Sequence, residues 1–473
     1  MQFIFILVIC LACLPLRDES TAAPDLLGGI GGTLLVVSLV ALAAELPSRW
    51  FARQLYHWPS NRRQILHRYN RWRFIHGLLN VAGYLVIRMY FCWGNVVRTD
   101  FALGNSILLG EIMILAPLLF TLVLAWMSYY RVERALYETS TAYGKTTFWN
   151  RGDYLSFHIR HYLGLVFAIL ILLAGIPQTL HAFMPDIEEQ PWFPLVQLAI
   201  FGGGAILLMP WLLTVVWSTR TLPKGELRDR LEAAARRLRF RYTDIRLWNT
   251  HGGVANAMVT GILPFPRYVL LSDQLLQNLT PDQIEAVFGH EVGHVKHFHM
   301  PLYLAFFVLS MTLLGFATKS LQLNEVVSDS IAATEWFTRP GFLSETLGTG
   351  GLALGYFWLV FGFLSRRCER QADVHGCKTV AEGGFQLTPA GIQTFVSALE
   401  RVADLNGIRR DRPSWLHSSI ARRVAFLDSL LSDPSEEQRF HRRLAIIKWT
   451  LFLGLLGVVL ACGSAVGWDS LLR

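Results

Sequence analysis

Eight stretches of this 473-residue chain stay apolar for about the twenty residues that a helix needs to cross a bilayer: roughly 27–46, 74–93, 104–128, 161–182, 193–217, 300–318, 346–364 and 446–468. Hydrocarbon offers no partner to a backbone N–H or C=O, so an apolar run of this length folds as a helix that satisfies itself. The runs therefore predict a mainly α, multi-span helical membrane protein. Composition agrees: charged residues make up 16% of the chain, against about 25% in soluble domains. One further apolar stretch, 2–16, is followed by Arg17-Asp18-Glu19-Ser20. Residues 1–22 read equally as a signal peptide or as a first span.

The segments between the runs alternate in charge. Segments 49–73, 129–160, 218–299 and 365–445 are basic, 94–103 is nearly neutral, and 183–192 and 319–345 are acidic or mostly so. Basic loops stay on the cytoplasmic side. One topology satisfies every loop, and it places 218–299 and 365–445 together on the cytoplasmic face of a plasma (inner) membrane. The net charge of +8 is then loop asymmetry, which argues against nucleic acid as a partner and for a lipid bilayer. The expected organisation is 1–22 as leader or first span, 23–217 as an amino-terminal membrane domain of about five spans, 218–445 as a polar domain interrupted by two spans, and 446–473 as a carboxy-terminal span. Six scattered cysteines (10, 13, 92, 368, 377 and 462) give no disulfide framework. Cys368 and Cys377 flank the second motif below, which suits a reducing compartment.

Within the polar domain, 227–239 has the period of an amphipathic helix, and 245–248, 255–261 and 268–272 read as strands. The expectation is a small α+β unit spliced into the helical bundle.

That unit carries His290-Glu291-Val292-Gly293-His294. On a helix, His290 and His294 lie one turn apart on one face and can converge on a metal ion, while Glu291 is placed to take a proton from water. Thr280-Pro281-Asp282-Gln283 supplies an N-cap, a proline at the first helical position and the glutamine of a capping box. A catalytic zinc needs a third protein ligand. His297 lies too far along the helix to close on the same ion. Gly at 297 and His at 300 would be needed for a metzincin, and the chain has His297 and Met300. A carboxylate downstream remains. Glu325, Glu335 and Glu345 fall in the outer loop. Glu369 and Asp373 share a helix face where the chain returns to the cytoplasm, so Glu369 can ligate while Asp373 orients a ligand histidine.

The pairing of His290-Glu291-x-x-His294 with Glu369-x-x-x-Asp373, two spans apart, resembles the integral-membrane gluzincin metallopeptidases, a family that includes the type 1 CAAX prenyl endopeptidases and the heat-shock protease HtpX. Asn256-Ala257-Met258-Val259-Thr260-Gly261 resembles that family's N-A-x-x-x-G edge strand, and 267–273 its strand before the motif helix. His417 to Arg423 resembles its late H-P-x-x-x-x-R element, with Ser418 in place of proline. The resemblance covers about 220–430.

It implies a zinc metalloendopeptidase holding one Zn²⁺ ion on His290, His294 and Glu369, with Glu291 as general base and Asp373 behind a ligand. The exposed edge of Asn256, Ala257, Met258 and Val259 can bind an extended peptide by strand addition, and His417 and Arg423 can donate to an oxyanion. The expected substrates are membrane-associated or hydrophobic proteins. Two substrate readings stay open, processing of a lipidated tail as in the CAAX enzymes and membrane-protein quality control. A non-catalytic scaffold bearing a structural zinc is the alternative of another class.

Overall fold

The computed structural model describes residues 25–139, 148–184, 193–250, 253–320, 355–381, 384–412 and 415–467. The leader or first span expected within 1–22, nearly all of the acidic loops and the first half of the run 346–364 lie outside the described residues. The chain divides into two compact units, whose described residues fall within 25–204 and 205–467.

In the first unit, α1 (Leu26–His57), α2 (Arg62–Met89) and α3 (Leu109–Glu138) pack around Leu55, Tyr69, Tyr84, Leu115 and Val132. Asp25 starts α1 by accepting from Gly28 N–H at 3.0 Å. The outer face of α1 exposes Leu34, Leu35, Leu39 and Leu42. A row of exposed leucines is costly in water and neutral in lipid. Downstream, α-helices Arg151–His158, Gly164–Leu170 and Ile176–Phe183 alternate with π-helical turns Ile159–Leu163 and Ile171–Gly175. The run expected at 161–182 is thus helical throughout, with π-helical turns inside it. Helix α4 (Phe193–Val216) matches the run expected at 193–217.

The second unit holds a four-stranded sheet of β1 (Thr219–Thr221), β2 (Asp244–Trp248), β3 (Ala257–Thr260) and β4 (Tyr268–Ser272), in the order β1-β2-β4-β3. Strand β2 runs parallel to β4, and the outer pairs are antiparallel. The structure adds β1, a three-residue strand with no sequence period, to the three expected strands. Every residue of β4 is buried, as suits a central strand. Gly261 closes β3 at φ +107°, where a Cβ would meet the Pro266 carbonyl oxygen at 2.2 Å, so the turn requires glycine. Buried Arg267 then ties the turn together by donating to the carbonyls of Gly261 and Arg241, at 3.1 and 3.0 Å.

Against this sheet lie α5 (Glu226–Arg237), α6 (Asp273–Asn278) and α7 (Pro281–Lys296); α8 (His299–Ser320), α9 (Gly362–Thr379), α10 (Pro389–Leu405), α11 (Ile420–Ser432) and α12 (Pro434–Val466) follow in the chain. The α7 capping box is present: Gln283 N–H donates to Thr280 Oγ1 at 3.3 Å, and Thr280 N–H donates to Gln283 Oε1 at 3.0 Å.

Among the described residues, three single helices are long and apolar enough to cross a membrane (Leu26–His57, Leu109–Glu138 and Ser435–Ala465). The count rises to five if two bent pairs are each one span: Pro59–Met89 with Trp93–Asp100, at 64°, and Pro281–Lys296 with His299–Leu314, at 47°. The fold is that of a helical membrane protein with a small α+β unit. All four described cysteines are free, with Cys368 and Cys377 buried.

Candidate active site

Helices α7 and α9 bring the two motifs together, and small residues let them do so. A Cβ on Gly289 would fall 2.2 Å from Thr379 Oγ1, one on Gly293 2.9 Å from the His375 Cβ and 3.1 Å from the Ala372 Cα, and one on Gly376 2.8 Å from the Ala286 carbonyl oxygen. The backbones therefore approach as closely as side-chain-free positions allow. Arg237 adds a clasp by donating to Glu285 Oε1 at 2.7 Å on α7 and to the Thr379 carbonyl at 2.6 Å on α9.

At this junction the Nε2 atoms of His290 and His294 are 3.3 Å apart, and they lie 3.7 and 3.5 Å from the carboxylate oxygens of Glu369. Nitrogen and oxygen ligands about 2.0–2.2 Å from a tetrahedral zinc stand about 3.3–3.6 Å from one another. The three side chains thus have the spacing of a three-ligand metal site. Among the described residues they form the one cluster of histidine, cysteine or carboxylate side chains close enough to hold an ion. His297 is not in it. It caps the end of α7, and its ring packs against His299, His375 and His441.

Supporting contacts surround the cluster. Asp373 Oδ1 is 3.0 Å from His290 Nδ1, out of line for an ideal hydrogen bond. Arg423 grips Asp373 with two donors, Nε to Oδ2 at 2.8 Å and NH2 to Oδ1. His417 Nδ1 is 2.9 Å from Glu369 Oε2. The two residues expected to face an oxyanion both line the cavity and are each held against a carboxylate: half-exposed His417 against Glu369, and buried Arg423 against Asp373.

The electrostatics follow from these contacts. Burial pushes the Glu291 carboxyl up to about 7, although His290 pulls the other way. Burial also opposes the charge on Glu369, but the His417 hydrogen bond and the nearby histidines outweigh it and hold that carboxyl well below its ordinary value. Asp373 is likewise held low by Arg423 against burial. Burial and the neighbouring His290 take His294 down to about 4, whereas Asp373 raises His290 despite burial.

Strand β3 sits at the edge of the sheet beside the cluster. Val259 N–H donates to Glu291 Oε2 at 3.2 Å, so this backbone edge faces the site. Alternation along the strand puts the N–H and C=O of Ala257 on the same edge. Asn256 is exposed and lines the cavity with Ala257, while Met258 is half-buried and Val259 buried. The residue that anchors the strand was not anticipated. Asn406, just past α10, accepts from Ala255 N–H at 3.1 Å and donates to the Ala255 carbonyl at 2.8 Å. It stands 151 residues away, and nothing in its own neighbourhood marks it. The cavity in front of the cluster measures about 540 Å³.

Residues 221–442 match peptidase family M48. A protease HtpX homologue of Neisseria meningitidis is 27% identical over 239 residues, covering 46% of this chain and 76% of the relative. One from Methanocaldococcus jannaschii is 25% identical over 287 residues, covering 59% and 88%. Protease HtpX of Xanthomonas axonopodis pv. citri is 28% identical over 275 residues, covering 53% and 83%. The crystal structure of S. mikatae Ste24p aligns over 83% of this chain and 98% of its own, with a TM-score of 0.51 and 19% identity, a likeness of fold. Motif, family match and fold agree: residues 221–442, just under half of the chain, are similar to peptidase family M48, and the chain is a membrane metalloprotease.

Proposed function

We propose that this protein is a zinc-dependent metalloendopeptidase that cleaves membrane-associated or hydrophobic protein substrates on the cytoplasmic side of a plasma (inner) membrane. The observation that carries the reading is the triangle of His290, His294 and Glu369, with ligand atoms at tetrahedral spacing and Glu291 beside it. Bound there, zinc supplies a Lewis acid that lowers the pKa of water to near neutrality and polarises a carbonyl.

The chain's own residues do the rest. Glu291, poised near neutrality by burial, takes the proton of the attacking water and returns it to the leaving amine. Asp373 steadies His290 and is itself charged and held by Arg423, so Arg423 acts through Asp373 in this reading. His417, on the cavity side of Glu369, donates to the developing oxyanion. The Ala257–Val259 edge binds the substrate backbone as an added strand.

The test is Glu291→Gln. The amide keeps the shape and removes the proton acceptor, so the variant should retain zinc and lose on the order of 10²–10⁴-fold in peptide cleavage. Undiminished cleavage refutes the mechanism. Zinc-bound wild type that cleaves no substrate supports the scaffold alternative. Proteins that accumulate on Glu291→Gln separate the two substrate readings: lipid-modified tails indicate processing, and damaged membrane proteins indicate quality control.

A further inference from the structure

Behind His294, on the side away from the cavity, four side chains join in line. His299 Nδ1 is 3.0 Å from His294 Nδ1, and His299 Nε2 is 3.0 Å from Gln371 Oε1. Lys448 Nζ is 2.7 Å from the same Gln371 oxygen, and Gln371 Nε2 is 2.9 Å from His441 Nδ1. The line starts from a bend. Phe298, between α7 and α8, sits at φ +55°, and α8 leaves α7 at 47°. That turn carries His299 back against His294.

The donors and acceptors admit one orientation. An ammonium only donates, so the Gln371 atom that Lys448 touches is the carbonyl oxygen. His299 Nε2 faces that oxygen and must carry the proton. Neutral His299 then has a bare Nδ1, which accepts from His294 Nδ1–H. The remaining lone pair of His294 is left on Nε2, the atom that faces His290 and Glu369. The far end agrees: the Gln371 amide donates to His441 Nδ1, leaving the His441 proton on Nε2, 3.5 Å from Glu437, which Lys378 pairs at 2.5 Å.

We propose that Lys448, on the carboxy-terminal helix α12, fixes through Gln371 and His299 the tautomer of His294 that can hold a metal ion. This rests on the reading of His294 as a ligand. All three are positioning residues, and they do for His294 what Asp373 does for His290. Histidine ligands are commonly oriented by a partner on the other ring nitrogen, and removing that partner costs about 10–100-fold in metal affinity. Here the partner is a neutral ring whose own orientation is set from another helix.

The experiment uses the full chain in detergent. Zinc affinity is measured by competition with a chromophoric chelator, and the visible spectrum of the Co²⁺-loaded protein reports ligand geometry. His299→Phe should bind zinc about 10–100-fold more weakly and shift the Co²⁺ bands. Lys448→Met should weaken zinc roughly tenfold, the worth of one charge-assisted hydrogen bond. Gln371→Leu should behave like His299→Phe. Gln371→Glu should keep zinc within a few-fold, because either carboxylate oxygen accepts from His299. Metal-free melting temperatures show which variants remain folded. If folded His299→Phe and Lys448→Met bind zinc as tightly as wild type while His294→Ala loses it, the relay is wrong and the ligand reading stands. If His294→Ala itself keeps zinc, the ligand reading fails first. If Gln371→Glu is as defective as Gln371→Leu, the tautomer argument is overturned.

Discussion

The approach of α7 to α9 should be the most sensitive dimension of this site, and Gly289→Ala probes it. A Cβ there would lie 2.2, 2.5 and 2.9 Å from Oγ1, Cβ and Cγ2 of Thr379, where ordinary contact begins near 3.4 Å. Relief needs the helices to part by about 1 Å. Alanine for glycine within a helix contributes about 1 kcal/mol in propensity, but overpacking costs about 1–3 kcal/mol. Three simultaneous overlaps with a branched side chain belong at the upper end, so the clash wins by about 2 kcal/mol. The site suffers more than the fold. Metal ligands tolerate about 0.2 Å, and Glu369 rides on α9 while both histidines ride on α7. The variant should remain folded, melt at a lower temperature and bind zinc at least tenfold more weakly. Thr379→Gly removes all three offending atoms, so the double variant should recover most of the affinity. Bound zinc after dialysis and metal-free melting curves in detergent measure both effects. If the single variant binds and melts like wild type, or the double variant recovers nothing, the helix approach does not position Glu369.

Two further outcomes are expected. Glu369→Ala should lose stoichiometric zinc while His297→Ala keeps it, because the His297 ring packs among histidines rather than facing the cluster; metal analysis of purified variants decides this, and the opposite pattern sinks the ligand assignment. Arg423→Met should cost about 3–5 kcal/mol by leaving Asp373 buried and unpaired. Asp373 is depressed in the folded state, so its contribution is present above the ordinary carboxylate pKa and is lost as pH falls through the lowered folded value. Arg423→Met raises that value, so acid unfolding should begin at a higher pH than in wild type, and an unchanged acid limb would contradict the pairing.

What the sequence made legible was local or periodic. The apolar runs, the capping box before α7, strands β2, β3 and β4 and the helix face shared by His290 and His294 all depend on residues within a turn or two of one another. Glu369 could be anticipated only because a three-ligand ion needed it. What stayed hidden depends on packing between distant segments. Gly289, Gly293 and Gly376 read as weak points in helices, and only the α7–α9 contact shows why they are small. Strand β1 is three residues long and exists because β2 offers it an edge. Arg423 could be read as a free cation near the site, but its guanidinium is occupied by Asp373, and no sequence period reports an ion pair fifty residues apart.

The two glutamates of the pocket show how one small volume supports opposite tasks. Glu291 lines the cavity with one backbone N–H, that of Val259, on its carboxylate, and desolvation drives its proton affinity up. Glu369 is the more buried of the two, yet His417, His290 and His294 converge on it and drive its proton affinity down. A ligand must stay ionised to hold a cation, and a base must be able to gain a proton and then give it back. Carboxylates pushed apart in this way mark separate acid–base roles. The sequence supplies two identical side chains. The fold differentiates them, by burying one against the β3 edge and crowding the other with imidazoles from α7 and from the segment before α11. This supports assigning proton transfer to Glu291 and metal holding to Glu369.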